Sequence, residues 1–326
     1  MRIAILGAGA WGSALAASLA ASHQVTLWSR GREECDILAA TRQSRYLPGI
    51  AIPESVRIEP SLGAAIGACE LALVATPTSG LRATLEGAGR ALAGKPLVWA
   101  CKGFEDATGK LPHEVAAEAA GDASATGALS GPSFALEVAR GQPTAVVLAS
   151  SDASFARSTA AALNSARLRI YSNDDLVGVE LGGALKNVVA IAAGISDGLA
   201  LGRNARAALV TRGLAEISRL GTALGGRPET FMGLAGLGDL VLTCTGELSR
   251  NREVGMRLAK GGQLPQVLEA LGHVAEGVHS ARAAREHARR HNLEMPITEA
   301  VCAVLFEERP AQEAVRQLLT RDPRAE

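Results

Sequence analysis

Residues 1–30, MRIAILGAGAWGSALAASLAASHQVTLWSR, restrict the fold more than any other part of the chain. A short apolar run leads into Gly7-Ala8-Gly9-Ala10-Trp11-Gly12, then an Ala/Leu-rich segment, then the alternating run Gln24–Trp28. That order predicts strand, glycine turn, helix, strand, and only in this setting does GxGxxG become a specific signal. Gly7 permits a sharp turn, Gly9 lets a pyrophosphate approach the backbone, and Gly12 lets helix and strand pack closely. The helix N-terminus then presents N–H groups and a positive dipole end to the phosphates. A signal peptide or a short membrane span competes for the uncharged stretch 3–21. Three glycines in six residues suit neither, and a second strand follows where a mature start would be needed.

The end of that second strand reads the cofactor. An Asp or Glu about 20 residues past the glycines would hold the ribose 2′-hydroxyl of NAD. Here the strand ends Leu27-Trp28-Ser29-Arg30, with Arg32 beyond, and the first acids, Glu33 and Glu34, fall in the next helix. A guanidinium pairs with a 2′-phosphate through two prongs, so NADP(H) is the expected cofactor, with NAD(H) still possible. An ordinary solvated arginine is the alternative.

Further apolar runs suited to buried strands lie at 71–75, 97–100, 128–130, 145–149 and 168–171, with Ala-rich helical spacing at 81–92 and 111–120. Strands alternating with helices predict a mainly parallel, doubly wound α/β sheet. The runs from 145 onward come closer together, as antiparallel pairing at an edge would require. After Asn173-Asp174-Asp175, which reads as a helix start, β-type runs nearly vanish. Helical patterns cover 177–200, 205–224, 228–232, 254–260, 264–271, 280–291 and 296–306. The expected organisation is a Rossmann-type domain over 1–175 and an all-α domain over 176–326. With aromatics at only 3%, Ala, Leu, Val and Gly must fill both cores. Acidic and basic residues balance at 33 each, which argues against nucleic acid or a membrane surface as the main partner. The apolar stretch 181–201 contains Lys186 and Asp197, costly groups at bilayer depth, and so reads as a buried helix rather than a membrane span. Five widely spaced cysteines form neither a disulfide framework nor a CxxC metal site, which fits a reducing cytoplasm.

Only five of the 33 basic residues are lysine. Lys95, Lys110 and Lys260 have polar or glycine neighbours and read as surface residues. Lys102 follows an apolar strand, at the carboxyl end where ligands of doubly wound sheets bind. Lys186 sits in Leu181-Gly182-Gly183-Ala184-Leu185-Lys186-Asn187-Val188-Val189-Ala190, where an unpaired ammonium would be expensive. Lysine can give up its proton, unlike arginine, and reduction of a carbonyl by hydride needs a proton for the developing alkoxide. Snorkelling to the surface is the bland alternative. Asp239, in the glycine-rich and otherwise apolar Gly233–Leu240 stretch, is either its carboxylate partner or a helix cap. Ser249-Arg250-Asn251 near a helix start would make a phosphate grip, or else a capping serine followed by surface residues. Gly131-Pro132-Ser133-Phe134 and Glu276 are weaker signals at turns.

Taken together, these segments resemble the bacterial NAD(P)-dependent glycerol-3-phosphate dehydrogenases. The matching pieces are GAGAWGSALA, ACKGFE at 100–105, SGPSFA at 130–135, ELGGALKNVVAIAAGISDGLALGRNARAALVTRGLAE at 180–216, FMGLAGLGDLVLTCTGELSRNREVG at 231–255, VAEGV at 274–278 and EMPITEAV at 294–301. They run in order along nearly the whole chain. The resemblance implies reversible reduction of dihydroxyacetone phosphate to sn-glycerol 3-phosphate, the glycerol backbone of phospholipids. It implies Lys186 as general acid/base, and Lys102, Gly131, Ser133, Lys186, Asp239, Ser249, Arg250 and Asn251 as substrate contacts. It implies Gly7, Gly9, Ala10, Trp11, Gly12, Arg30, Lys102, Ala135, Arg250, Val274 and Glu276 as cofactor contacts, no metal, and a homodimer. Family members commonly carry Ser where this chain has Ala10, which puts one side-chain contact to the cofactor in doubt. The rivals are another two-domain NADP-dependent reductase of a small keto or hydroxy acid, and a non-enzymatic NADP-sensing protein.

Overall fold

The computed structural model describes residues 1–272 and 275–320. Two compact units divide the chain: Met1–Glu105 with Lys110–Glu180, and Asp106–Gly109 with Leu181–Glu326.

The first unit is built on an eight-stranded sheet: β1 (Arg2–Leu6), β2 (Gln24–Trp28), β3 (Arg57–Glu59), β4 (Leu71–Val74), β5 (Pro96–Trp99), β6 (Ala125–Ser130), β7 (Thr144–Ala149) and β8 (Leu168–Asn173). Its order is β3-β2-β1-β4-β5-β6-β7-β8. β1 and β4 are buried almost throughout, as expected for central strands covered on both faces, and therefore read as unbroken apolar runs. The chain winds outward from β1 to β3, then crosses back to β4 on the other side of β1. That reversal opens a crevice at the carboxyl ends of β1 and β4. Helices α1 (Ala10–Leu19), α2 (Arg32–Thr41), α3 (Leu62–Gly67), α4 (Thr78–Ala88), α5 (Pro112–Ala119), α6 (Ala135–Ala139) and α7 (Ala153–Leu163) connect the strands. Ile3, Ile5, Leu15, Leu27, Leu71, Leu73 and Val98 sit in its main core.

The expectation of antiparallel pairing from residue 145 onward holds only in part. β7 runs antiparallel to β6, because only the five-residue α6 lies between them. β8 pairs with β7 in parallel, because α7 supplies the crossover that a parallel pair requires. Asp152 starts α7 by accepting the N–H groups of Ser154 and Phe155. The three-residue β3, Arg-Ile-Glu, lacks the apolar run that marks the other strands.

The long helix α8 (Leu176–Gly198) begins where Asp175 Oδ1 accepts the Gly178 N–H, and the two units part within it, after Glu180. It is long and apolar enough to cross a membrane, yet 89% of its apolar window is buried inside the protein. The second unit adds α9 (Gly202–Ala223), α10 (Pro228–Phe231), one π-turn at Leu234–Gly238, α11 (Asp239–Thr245), α12 (Arg250–Ala259), α13 (Leu264–Leu271), α14 (Glu276–Arg290), α15 (Pro296–Phe306) and α16 (Ala311–Leu319). Glycine lets its helices touch backbone to backbone. A Cβ on Gly194 would overlap the Arg252 carbonyl, and one on Gly255 would overlap the Ile191 carbonyl. Val188, Ile191, Ile195, Val254 and Leu258 pack along that crossing of α8 with α12. Buried Glu216 of α9 caps α15 from a distance, accepting the N–H groups of Ile297 and Thr298 and the Thr298 hydroxyl.

Candidate functional site

In the first unit the glycine turn lies at the crevice between β1 and β4. Gly7 has φ +124° and donates its N–H to Trp28 O at 2.9 Å. A Cβ there would come within 2.9 Å of the Ala75 carbonyl group, and one on Gly12 would overlap Gly7 O. Both glycines are therefore fixed by close backbone approach. Gly9, the N-cap of α1, differs: a Cβ there would meet nothing within 4 Å, and no side chain caps the helix. Open space faces a helix start with uncapped N–H groups and no acid in its first turn, which is the arrangement that receives a pyrophosphate. Ala10 and Trp11 begin α1 and, like Ala135, the first residue of α6, pack against the buried cluster of Ala14, Leu47 and Val138.

Arg30 follows β2, is exposed, and has no hydrogen bond or ion pair among the described residues. The Cys35 thiol below it bonds to Ser29 O, and burial pushes that thiol up from its ordinary range. Beyond β5, Lys102 Nζ donates to Gly131 O at 3.0 Å. Gly131 has φ +133°, and the same carbonyl also accepts the Ser133 hydroxyl at 3.0 Å. Lys102, Gly131 and Ser133 thus form one polar group at the carboxyl ends of β5 and β6.

The second unit carries a separate constellation. Lys186 of α8 donates to Asp239 Oδ1 at 2.5 Å, with the two side chains 9% and 1% exposed. Asp239 is the first residue of α11 rather than its cap; Gly238 holds the cap position. The π-turn before it widens the helix by one residue. A Cβ on Gly182 would come within 2.6 Å of Ala235 O, so glycine there permits close approach of α8 to this turn.

Helix α12 starts earlier than its apolar pattern suggests, because Ser249 caps it by accepting the Arg252 N–H. Arg250 is therefore the first helical residue, exposed and without an ion pair among the described residues. Asn251 is engaged on both sides: Nδ2 donates to Asn187 Oδ1 at 2.9 Å and Oδ1 accepts the Gly277 N–H at 3.0 Å. Glu276, just before, opens α14. Asn187, next to Lys186, was missed from sequence; an amide in an otherwise apolar helix was the available signal. Val274 lies outside the described residues.

The N-terminal and C-terminal domains of NAD-dependent glycerol-3-phosphate dehydrogenase match residues 2–156 and 175–316. Glycerol-3-phosphate dehydrogenases [NAD(P)+] of Aromatoleum aromaticum and Dechloromonas aromatica are each 58% identical over 100% of this chain, covering 100% and 99% of theirs. The crystal structure of glycerol-3-phosphate dehydrogenase from Coxiella burnetii superposes with a TM-score of 0.93 at 42% identity, covering 98% of this chain and 99% of that one. A chain matched along its whole length by close relatives, and carrying a dinucleotide turn and a buried Lys–Asp pair, belongs to the NAD(P)-dependent glycerol-3-phosphate dehydrogenase family.

Proposed function

We propose that Lys186 is the proton donor in the reaction this family member catalyses, the reversible reduction of dihydroxyacetone phosphate to sn-glycerol 3-phosphate. The buried pair of Lys186 with Asp239 carries this reading. NADPH, or less favourably NADH, supplies the hydride when bound. The glycine turn fits such a cofactor through the open space at Gly9 and the uncapped start of α1. Arg30 meets the 2′-phosphate, and Ala10, Trp11, Lys102, Ala135, Arg250, Val274 and Glu276 complete the cofactor contacts.

Asp239 fixes the Lys186 ammonium, so its proton is held at one point when charge develops on the substrate oxygen. In the reverse direction Lys186 takes the alcohol proton. Arg250 holds the substrate phosphate as a charged fork, and Ser249, Lys102, Gly131 and Ser133 are further substrate contacts. Asn251 contributes through the turn it braces. The domains are 1–175 for the dinucleotide and 176–326 for substrate and proton transfer. The protein acts as a cytoplasmic homodimer in glycerophospholipid supply. The rival readings, a reductase of another small keto acid and a non-enzymatic sensor, are not favoured by relatives of this identity and coverage.

The test is Arg250→Leu assayed with dihydroxyacetone phosphate and with dihydroxyacetone. A charge-assisted contact is worth about 1.5–3 kcal/mol, so kcat/KM for the phosphorylated ketone should fall at least roughly tenfold. At saturating NADPH, dihydroxyacetone should lose clearly less, since any loss through the cofactor contact of Arg250 falls on both substrates. Equal losses on both substrates return Ser249–Asn251 to a plain helix cap.

A further inference from the structure

We infer that Asp197, with Arg252 and Arg206, forms an ion triad that positions the first turn of α12 and thereby sets selectivity for a phosphorylated ketone. The inference rests on the reading of Arg250 as phosphate ligand. Arg252 Nε donates to Asp197 Oδ2 at 2.7 Å. Arg206 Nη1 reaches the same oxygen at 3.0 Å and Oδ1 at 3.2 Å. All three side chains are largely buried, at 15%, 14% and 24% exposure for Asp197, Arg252 and Arg206. One carboxylate thus balances two guanidinium groups from two different helices, and the cluster keeps a net positive charge.

Its place in the helix crossing gives it a function. Arg252 lies two residues after Arg250 on α12, and Asp197 lies near the end of α8, the helix that carries Lys186. The Arg252 carbonyl rests against Gly194, and the Ile191 carbonyl against Gly255. Bare backbone contact of this kind brings the helices close and leaves no interlocking side chains at those points to stop them sliding. Beside the apolar packing of Val188, Ile191, Ile195, Val254 and Leu258, two polar ties fix the register. Asn251 bonds to Asn187 at one end of the crossing, and Arg252 bonds to Asp197 at the other. Between them, the direction in which Arg250 leaves its helix is fixed relative to Lys186. The distance from Lys186 to the phosphate grip is what distinguishes a ketone that carries a phosphate from one that does not.

Loss of the carboxylate charge sets two guanidinium groups against each other across a spot that one oxygen had joined. The first turn of α12 then moves while Lys186–Asp239 is untouched. Asp197, Arg206 and Arg252 are positioning residues, and their removal should act on KM for the phosphorylated substrate rather than on proton transfer.

The experiment compares Asp197→Asn, Asp197→Glu and Arg252→Lys in the full chain, at saturating NADPH, with dihydroxyacetone phosphate and dihydroxyacetone. Circular dichroism checks the fold, and Arg250→Leu is run in parallel. The expected result for Asp197→Asn is a KM for dihydroxyacetone phosphate raised about tenfold, as for one lost charge-assisted contact, with kcat and the NADPH KM changed by less than about threefold. Dihydroxyacetone kinetics should stay level, and Asp197→Glu should recover part of the loss. An unchanged KM in folded Asp197→Asn overturns the inference. So does an equal loss on both ketones, which marks a general structural role. If Asp197→Asn does not fold, Arg252→Lys decides by the same criteria, since it keeps the charge and loses only the Nε geometry. If Arg250→Leu itself fails to distinguish the ketones, the phosphate reading falls and takes the inference with it. If Arg250→Leu is selective and the Asp197 and Arg252 variants are not, only the triad inference fails.

Discussion

Separating the Lys186–Asp239 pair by mutation distinguishes its contribution to folding from its contribution to turnover. The two groups meet at 2.5 Å with almost no exposure, so water screens neither. Removing one partner of a buried pair costs about 3–5 kcal/mol, whereas replacing both by apolar groups of similar volume is often neutral. Asp239→Ala takes this carboxylate from a buried ammonium. Lys186→Met leaves the carboxylate facing a thioether. Each single variant should lose about 3–5 kcal/mol, which for a unit of this size lowers Tm by roughly 6–20 °C. The double variant Lys186→Met/Asp239→Leu should recover most of that loss. Turnover should stay at least about a hundredfold down in every variant lacking Lys186, because proton donation is gone. Urea unfolding followed by circular dichroism gives the energies, and NADPH absorbance gives the rates. Single losses that simply add in the double variant, within about 0.5 kcal/mol, would refute the energetic coupling. A loss below about 1 kcal/mol in Asp239→Ala would show that the ammonium reaches water, as an exposed pair does.

Arg30→Asp should shift the ratio of kcat/KM values from NADPH toward NADH by at least about tenfold, by deleting a phosphate partner and adding a ribose acceptor; an unchanged ratio removes Arg30 from 2′-phosphate reading. Gly12→Ala should weaken NADPH binding and cost about 1–3 kcal/mol in unfolding experiments, because its Cβ would overlap Gly7 O; parent-like binding and stability would contradict the close-packing role. His113 donates to buried Glu180 at 2.5 Å, and Trp99 bonds to the same carboxylate at 2.7 Å. Burial alone would push the imidazolium down, but the Glu180 hydrogen bond and charge outweigh it and hold His113 above its ordinary 6.5, while burial raises Glu180 against the His113 and Trp99 bonds. The folded state therefore binds more protons, and this stabilisation is complete below about pH 6.5 and fades as pH rises through the folded value. The stability gap between the parent and His113→Gln should be larger at pH 6 than at pH 8.5; a gap that grows with pH reverses the sign and sinks the reasoning.

The sequence was most legible where one physical demand dominated. Buried parallel strands such as Leu71–Val74 need apolar side chains on both faces, and they stood out to within a residue or two. The glycine turn was readable because Gly7 and Gly12 have no steric alternative. Edge strand Arg57–Glu59 was hidden because it is three residues long and carries two charges, and helix Ala153–Leu163 because small Ala, Ser and Thr make up most of it. The start of α12 depended on a serine cap rather than on periodicity. Lys186 and Asp239 drew notice as charges in apolar surroundings, and the fold brings them together from positions 53 residues apart. Asn187 offered only the signal of an amide in an apolar helix and Asp197 that of a charge in one, and with Arg206 and Arg252 their pairing went unread because what matters about them is mutual geometry across α8, α9 and α12, which no local spacing encodes.

Single-turnover oxidation of NADPH by Lys186→Ala, with dihydroxyacetone phosphate in excess, tests proton donation most directly. NADPH affinity is measured alongside by fluorescence, so that loss of binding and loss of chemistry are read separately. If Lys186 is the proton donor, the rate should fall by about 10²–10⁴ while the NADPH Kd stays within about twofold of the parent. A single-turnover rate within about threefold of the parent, at saturating NADPH, would mean that another group supplies the proton, because a lost general acid costs far more.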